Sequence, residues 1–262
     1  MELGLLGKVA IVTGGSEGIG RATAQSLGHE GARVLVCARR ADVLERAAQD
    51  IAEATGAEIV AVQADVRNTQ DIERLVATAV DRFGRLDILV NNAGTSAAAP
   101  FEAVSLEEWQ VDLDLKLFGA IRAIRAAIPH LRQAGGGSIV NVLNIGSKQP
   151  GPRSVPTSVS RAAGMALMKA LSKELAADNI RVNGINIGLI KSGQHERRWR
   201  REGARGTLED FYMENARRSG IPLGRVGEAH EVGDLIAFLC SSRGAYITGV
   251  SINMDGGLSA VV

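Results

Sequence analysis

Short runs that are apolar at almost every position recur along the chain. Between them lie longer stretches in which apolar residues return every three or four positions. The runs fall at 8–14 (KVAIVTG), 32–39, 58–66, 86–94, 137–145, 179–188 and 249–257. A strand apolar on both faces suits the middle of a parallel sheet, where helices cover each side. The helical stretches are 18–30, 41–54, 69–83, 105–133, 158–177 and 229–241. Strand and helix alternate, which predicts an α/β fold: a doubly wound, parallel, seven-stranded sheet with helices on both faces. No repeat or linker divides the sequence, so residues 1–262 are expected to form a single domain. The segment 189–226 breaks the rhythm, being long, Arg-rich and poorly periodic. In such folds ligands bind beyond the carboxyl ends of the strands, and an insertion there suggests a substrate lid.

Composition narrows the class. A formal net charge of +1 gives no electrostatic reason to expect a nucleic acid or a membrane surface as partner. No apolar run is long enough to span a bilayer. The first residues lack a basic segment followed by an apolar one, so no signal peptide is expected and the cytoplasm is the expected location. Cys37 and Cys240 lie far apart in apolar surroundings and read as buried packing thiols rather than a disulfide or a metal site.

The first strand runs into TGGSEGIG, which places Gly14, Gly18 and Gly20 at the start of a helix. Glycine permits the tight turn, lets backbone approach a diphosphate, and allows close packing of helix on strand. The helix N-terminus then faces the anion. The same spacing also serves an ordinary strand-to-helix turn, but its place after the first strand favours a dinucleotide and a Rossmann-type domain. At the end of the second strand, where selection of NAD usually calls for a carboxylate, stand Arg39 and Arg40. Two guanidiniums suit the 2′-phosphate of NADP, with NAD still possible. Against this, the arginines could be solvated residues at a helix start, and Glu17 in the glycine loop opposes an added phosphate.

Thr13-Gly14-x-x-x-Gly18-Ile19-Gly20, Asp65-Val66, Asn91-Asn92-Ala93-Gly94, RVN at 181–183 and ITG…DGG at 247–257 together resemble the short-chain dehydrogenase/reductase family over essentially the whole chain. The resemblance implies NAD(P) binding through the loop that also holds Ser16 and Ile19. Asp65 and Val66 would lie near the adenine, Asn92, Ala93 and Gly94 would form the cofactor wall, and Gly188 and Ile190 would lie on the nicotinamide side. It implies a small-molecule substrate and a homo-oligomer, a dimer or tetramer, joined partly through the helices at 105–133 and 158–177. Ala162, Ala163, Gly164 and Ala166 on the second helix suit such contact, or equally packing on the chain's own sheet.

Members of that family typically act through an Asn, a Ser, a Tyr and a Lys, the Tyr serving as general acid/base. At the matching positions this chain carries Lys116, Asn144, Thr157 and Arg161. A phenol, with a pKa of roughly 10, can be tuned towards neutrality, whereas an aliphatic hydroxyl is far less acidic. Arginine keeps the positive charge and can still hold a ribose, but it does not give up its proton. Asn144 keeps an amide donor for an oxyanion. Lys116 adds a cation whose pKa burial can lower. The pattern predicts an oxidoreductase of carbonyls or alcohols with a non-standard proton donor. A non-redox lyase or isomerase, or a non-catalytic cofactor sensor, remains an alternative.

Lys148, His195 and Tyr212 are candidate proton donors, or else solvated loop residues. Lys191, Arg197, Arg198, Arg200, Arg201 and Arg205 outnumber Glu196 and Glu202, so the lid suits either an anionic substrate, such as a carboxylate or acyl thioester, or a solvated face. Ile187-Gly188 stands where the family usually has Pro-Gly, which frees an N–H and predicts a relaxed backbone there.

Overall fold

Each apolar run forms a strand. In the computed structural model, which describes residues 2–262, the strands are β1 (Val9–Thr13), β2 (Arg33–Ala38), β3 (Ile59–Gln63), β4 (Ile88–Asn91), β5 (Gly137–Asn144), β6 (Ile180–Ile187) and β7 (Ser251–Met254). They make one sheet in the order β3-β2-β1-β4-β5-β6-β7, and every pairing is parallel. Strand order reverses between β1 and β4, so a crevice opens above their carboxyl ends, where ligands bind in sheets of this kind.

All five residues of β1 are buried. Ala10 and Val12 pack on one side with Ala24, Leu27, Leu44, Val232 and Ile236. Val9 and Ile11 pack on the other with Ile72, Leu75, Ala123, Ile124 and Met168. Those helical residues come from α1 (Gly18–His29), α2 (Ala41–Thr55) and α9 (Ala229–Cys240) on the first face. On the second they come from α3 (Thr69–Phe83), α5 (Gly119–Gln133) and α6 (Thr157–Glu174). Each large aliphatic side chain so covered contributes roughly 1.5–3 kcal/mol relative to exposure. Cys37 and Cys240 are free, buried and assigned to opposite faces, as packing thiols should be.

Two stretches depart from the expected pattern. The single helix expected over 105–133 is interrupted: α4 (Leu106–Leu113) and α5 are joined by a π turn at Asp114–Phe118. Such turns reset which way side chains face, and this one contains Lys116, buried on the sheet side. The 189–226 segment holds two helices, α7 (Gly193–Arg201) and α8 (Leu208–Ser219). The charged face of α7 obscures its helical period, while Tyr212, Ala216, Ile221 and Val226 form a small core of their own. No helix among the described residues is long and apolar enough to cross a membrane.

Candidate active site

The loop between β1 and α1 is held by the turn that follows β4. Thr13 Oγ1 donates to Val90 O at 3.3 Å and accepts from the N–H groups of Asn92 and Ala93 at 3.0 and 3.1 Å. Asn92 Nδ2 donates to the carbonyls of Thr13 and Gly14 at 2.9 and 3.2 Å. Gly14 sits at φ +68° and Gly18 at +54°, the left-handed region that L side chains avoid. Gly20 is required for another reason. A Cβ there would lie 2.2 Å from Gly14 O and 2.5 Å from Asn92 Nδ2, so only glycine lets α1 begin so close to β1.

At the end of β2, Arg39 and Arg40 are exposed. Arg40 donates to Glu17 at 2.6 Å, and Arg197 of α7 donates to the other oxygen of the same carboxylate at 3.0 Å. Partial burial works against the charge on Glu17, but the two guanidinium bonds prevail and hold its carboxyl below the usual range. Asp65 is chelated by Arg67 through a 2.6 Å contact, and its carboxyl is likewise held low by that bond, with Arg39 adding to the effect.

Beyond β4 and β5 the pocket is cationic and partly buried. Arg161 lies against the loop: a Cβ on Gly94 would meet its Nη2 at 2.4 Å, and its Nη1 donates to Val142 O at 2.7 Å. Burial lowers its pKa to about 10, which still leaves it charged at neutral pH. Lys116 Nζ donates to Asp112 and, at 2.9 Å, to Thr157 Oγ1. The side chains of Lys116 and Asp112 are 1% and 2% exposed. The other Asp112 oxygen accepts from Ser160 Oγ at 2.7 Å. Thr157 Oγ1 also accepts from the Ala97 N–H at 2.9 Å. Asn144, at the end of β5, carries a buried Oδ1 with no partner among the described residues.

A family model described as enoyl-(acyl carrier protein) reductase matches residues 14–259. A human relative, dehydrogenase/reductase SDR family member 4, is 35% identical over 97% of this chain and 88% of its own length. The chain belongs to the short-chain dehydrogenase/reductase family. A 3-oxoacyl-[acyl-carrier-protein] reductase of Synechocystis is 33% identical over 97% of this chain and 98% of that one. L-sorbose reductase from Gluconobacter frateurii, complexed with NADPH and L-sorbose, superposes with a TM-score of 0.95 at 33% identity, all of both chains being covered. An NADPH-bound short-chain oxidoreductase from Pseudomonas aeruginosa PAO1, said to contain an atypical catalytic center, gives a TM-score of 0.92 at 37% identity over 98% of this chain and 99% of that one.

Within this short-chain dehydrogenase/reductase fold, Lys116, Thr157 and Arg161 converge on the 93–97 loop, while Asn144, at the end of β5, has its Oδ1 beside Gly146. Sequence reasoning missed Asp112 and Ser160. The first had a signal, its i,i+4 spacing from Lys116. Because Asp112 balances Lys116, the pocket gains less positive charge than the four positions alone suggested. Thr157 is not a free hydroxyl either, since it accepts two hydrogen bonds from the protein.

The other candidate donors are placed elsewhere. Lys148 Nζ donates to Ser251 O at 2.6 Å, tying β7 rather than facing the pocket. His195 packs edge-on to Tyr212 at 6.1 Å between ring centroids, and burial lowers its pKa. Burial raises the pKa of Tyr212, whose hydroxyl reaches Ser192 O at 3.5 Å. Six of the nine Lys and Arg residues of the 189–226 segment are paired: Lys191 with Glu209 and Glu228, Arg197 with Glu17, Arg198 with Glu202, Arg200 with Glu196, Arg217 with Glu214, and Arg225 with Glu231. Intramolecular pairing therefore removes most of the basic character read from the sequence. Gln194 reaches the wall, accepting from Ser96 N at 3.2 Å and donating to Gly94 O at 3.5 Å.

The glycine of the Ile187-Gly188 turn is held against β7 and the residue after it. Gly188 N–H donates to Met254 O at 3.0 Å, and a Cβ on Gly188 would lie 2.8 Å from Asp255. The side chain of Ile190 is buried in the core, so only its backbone is offered to a ligand.

Proposed function

We propose that the chain is an NADP(H)-dependent oxidoreductase that interconverts a carbonyl and an alcohol with a proton donor other than tyrosine. The observation that carries this reading is the convergence of Lys116, Thr157 and Arg161 on Gly94 and Ala97, beside the glycine loop. The residues fit a dinucleotide. The Gly14–Gly20 cradle, which a Cβ on Gly20 would fill, takes the diphosphate at the N-terminus of α1, with Ser16 and Ile19 on its rim. Arg39 makes no ion pair among the described residues and Arg40 shares Glu17, so both can turn to a 2′-phosphate. NADPH-bound relatives of similar sequence support that choice.

When bound, the reduced cofactor supplies a hydride. Arg161, in the position of the family's lysine, holds the ribose side and keeps a fixed positive charge near the substrate oxygen. Asn144 offers its amide to that oxygen, in the manner of an oxyanion donor. Gly94 and Ala97 form the wall, and the 189–226 segment acts as the lid, with Gln194 on the wall and Arg197 on Glu17. Exposed Phe101, Leu106, Val111, Phe118 and Val159, on or beside α4, α5 and α6, support assembly into a dimer or tetramer of like chains.

Purified protein is assayed by NADPH absorbance against ketoses, simple ketones, 3-oxoacyl thioesters and enoyl thioesters. Oxidation of NADPH dependent on one of these classes is expected. No turnover on the whole panel, with NADPH or NADH, would sink the reading. For the cofactor, Arg39→Ala and Arg40→Ala are each expected to weaken NADPH binding roughly 10-fold or more, the worth of one charge-assisted bond. NADH binding should change little. Equal losses for both cofactors would exclude a 2′-phosphate role.

A further inference from the structure

Three groups lie in series from the interior to the pocket. Asp112, on α4, fixes Lys116, which the π turn aims back at α6. Lys116 Nζ donates to Thr157 Oγ1 at 2.9 Å. That oxygen also accepts from Ala97 N–H, so its acceptor capacity is used, while its own hydrogen is given to no acceptor among the described residues. Lys116 and Thr157 are both buried, at 5% and 6% exposure. The threonine, at the N-terminus of α6, stands between the ammonium and the 93–97 loop, so its hydroxyl is the group through which Lys116 meets that loop.

We propose that the proton for the substrate oxygen comes from Lys116 and is delivered through the Thr157 hydroxyl; this rests on the oxidoreductase reading above. As hydride adds to the carbonyl carbon, the C=O π pair moves onto oxygen. The Thr157 O–H bond breaks and an O–H bond forms on the product alcohol. The Lys116 N–H electron pair stays on nitrogen while its proton re-forms the Thr157 hydroxyl. Threonine never carries net charge, which answers the objection that it is a poor acid: the acid is the ammonium, and the hydroxyl only passes the proton on. Oxidation runs the same steps backwards, with neutral lysine as base.

Lys116 is tuned for the task. Burial pushes its ammonium down to about 8, opposed by the bond to Asp112 and helped by the charge of Arg161. These are the titratable groups that face it: Asp112 from its own helix segment and Arg161 from α6. The elements behind it, β4 and β5, present the neutral amides of Asn91 and Asn141. Those two side chains are 7% and 5% exposed, and they leave Asn91 Oδ1 and Asn141 Nδ2 without partners. Both line, with Lys116 and Arg161, a cavity of about 20 Å³. With these two unpartnered amide atoms on its otherwise largely apolar lining, a cavity of that size accommodates one water beside the lysine.

The test is reduction of the best substrate by the full chain from neutral pH to well above 8. Wild type should lose kcat/KM as pH rises through about 8, the value for Lys116. Thr157→Ser, which keeps the hydroxyl, should retain that limb and stay within about 10-fold of wild type. Thr157→Val should fall by about 10²–10⁴-fold, the usual span for losing an acid. Lys116→Arg keeps the ion pair but cannot release a proton; it should lose as much, and the limb with it. Rates in mixtures of light and heavy water need no variant, and two protons in flight should give a curved plot. Full activity in Thr157→Val, a limb that survives Lys116→Arg, or a linear plot for a step limited by chemistry would each overturn the relay. If instead wild type transfers no hydride to any substrate, the oxidoreductase reading itself has failed.

Discussion

Alanine at Asp112 is expected to cost the fold about 3–5 kcal/mol, the range for removing one partner of a buried ion pair. The Lys116 and Asp112 side chains are almost wholly enclosed, so the stranded ammonium loses its counter-charge with little solvent to replace it. Ser160 Oγ loses its 2.7 Å acceptor as well. Urea unfolding of wild type and Asp112→Ala measures the difference. The loss has a defined pH dependence. Without Asp112, whose bond raises it, the folded-state pKa of Lys116 drops below the wild-type value of about 8. Between the two values the folded variant has shed a proton that folded wild type keeps, while both unfolded chains hold it. The variant's stability therefore rises relative to wild type over that interval, and the gap narrows as pH approaches 8 and is level beyond it. A double variant, Asp112→Leu with Lys116→Met, should recover much of the loss, because a buried pair replaced by apolar residues is often nearly neutral. A gap that is small or indifferent to pH would mean that Lys116 is better hydrated than its enclosure implies.

The second large effect is expected at Gly20. A methyl group there meets Gly14 O at 2.2 Å and Asn92 Nδ2 at 2.5 Å, and neither can step aside without breaking the Thr13–Asn92 bonding that holds the loop. Gly20→Ala must push α1 away from β1. Overpacking of this kind costs about 1–3 kcal/mol, and the N–H groups that face the diphosphate are displaced with the helix. Dinucleotide affinity should fall by at least about 10-fold, one lost charge-assisted bond being worth that much. NADPH fluorescence titration and thermal unfolding read the two effects separately. Gly18→Ala is the informative contrast. Its Cβ would have room, with Ser192 no nearer than 3.5 Å, but its φ of +54° is unfavourable for alanine. It should lose about 1 kcal/mol of stability through backbone strain alone. Unchanged NADPH affinity in Gly20→Ala would remove the cradle from the cofactor site.

The sheet was legible because burial on both faces leaves the same mark on every strand. VAIVT in β1 could hardly be anything else. The shape of the glycine loop was legible because its glycines answer backbone demands that no other residue meets. The pocket was legible by position but not by partnership. Thr157 and Lys116 are 41 residues apart, and only the fold reveals that they share a hydrogen bond. The π turn was invisible because α-helix and π turn draw on the same residues, and the extra residue shows only when the backbone is laid out. The basic character of 191–205 misled for a related reason: Glu17, Glu209 and Glu228, which neutralise Arg197 and Lys191, lie outside that stretch.

The 189–226 segment buries its own small core of Tyr212, Ala216, Ile221 and Val226, separate from the two cores that flank the sheet. Its ties to the glycine loop and the wall are polar: Arg197 to Glu17, and Gln194 to Ser96 and Gly94. Ile190, at the segment's entry, is anchored in the sheet core, and Leu258 packs on its small nucleus, but beyond those two apolar joints the segment docks through a few polar latches. If the proposed lid role holds, the chain is divisible for engineering, with most of the 189–226 segment replaceable on a permanent frame that carries the glycine loop. A transplant from a relative would need to preserve little more than the seams at Ile190–Gly227 and Leu223–Gly256, where its backbone joins the rest.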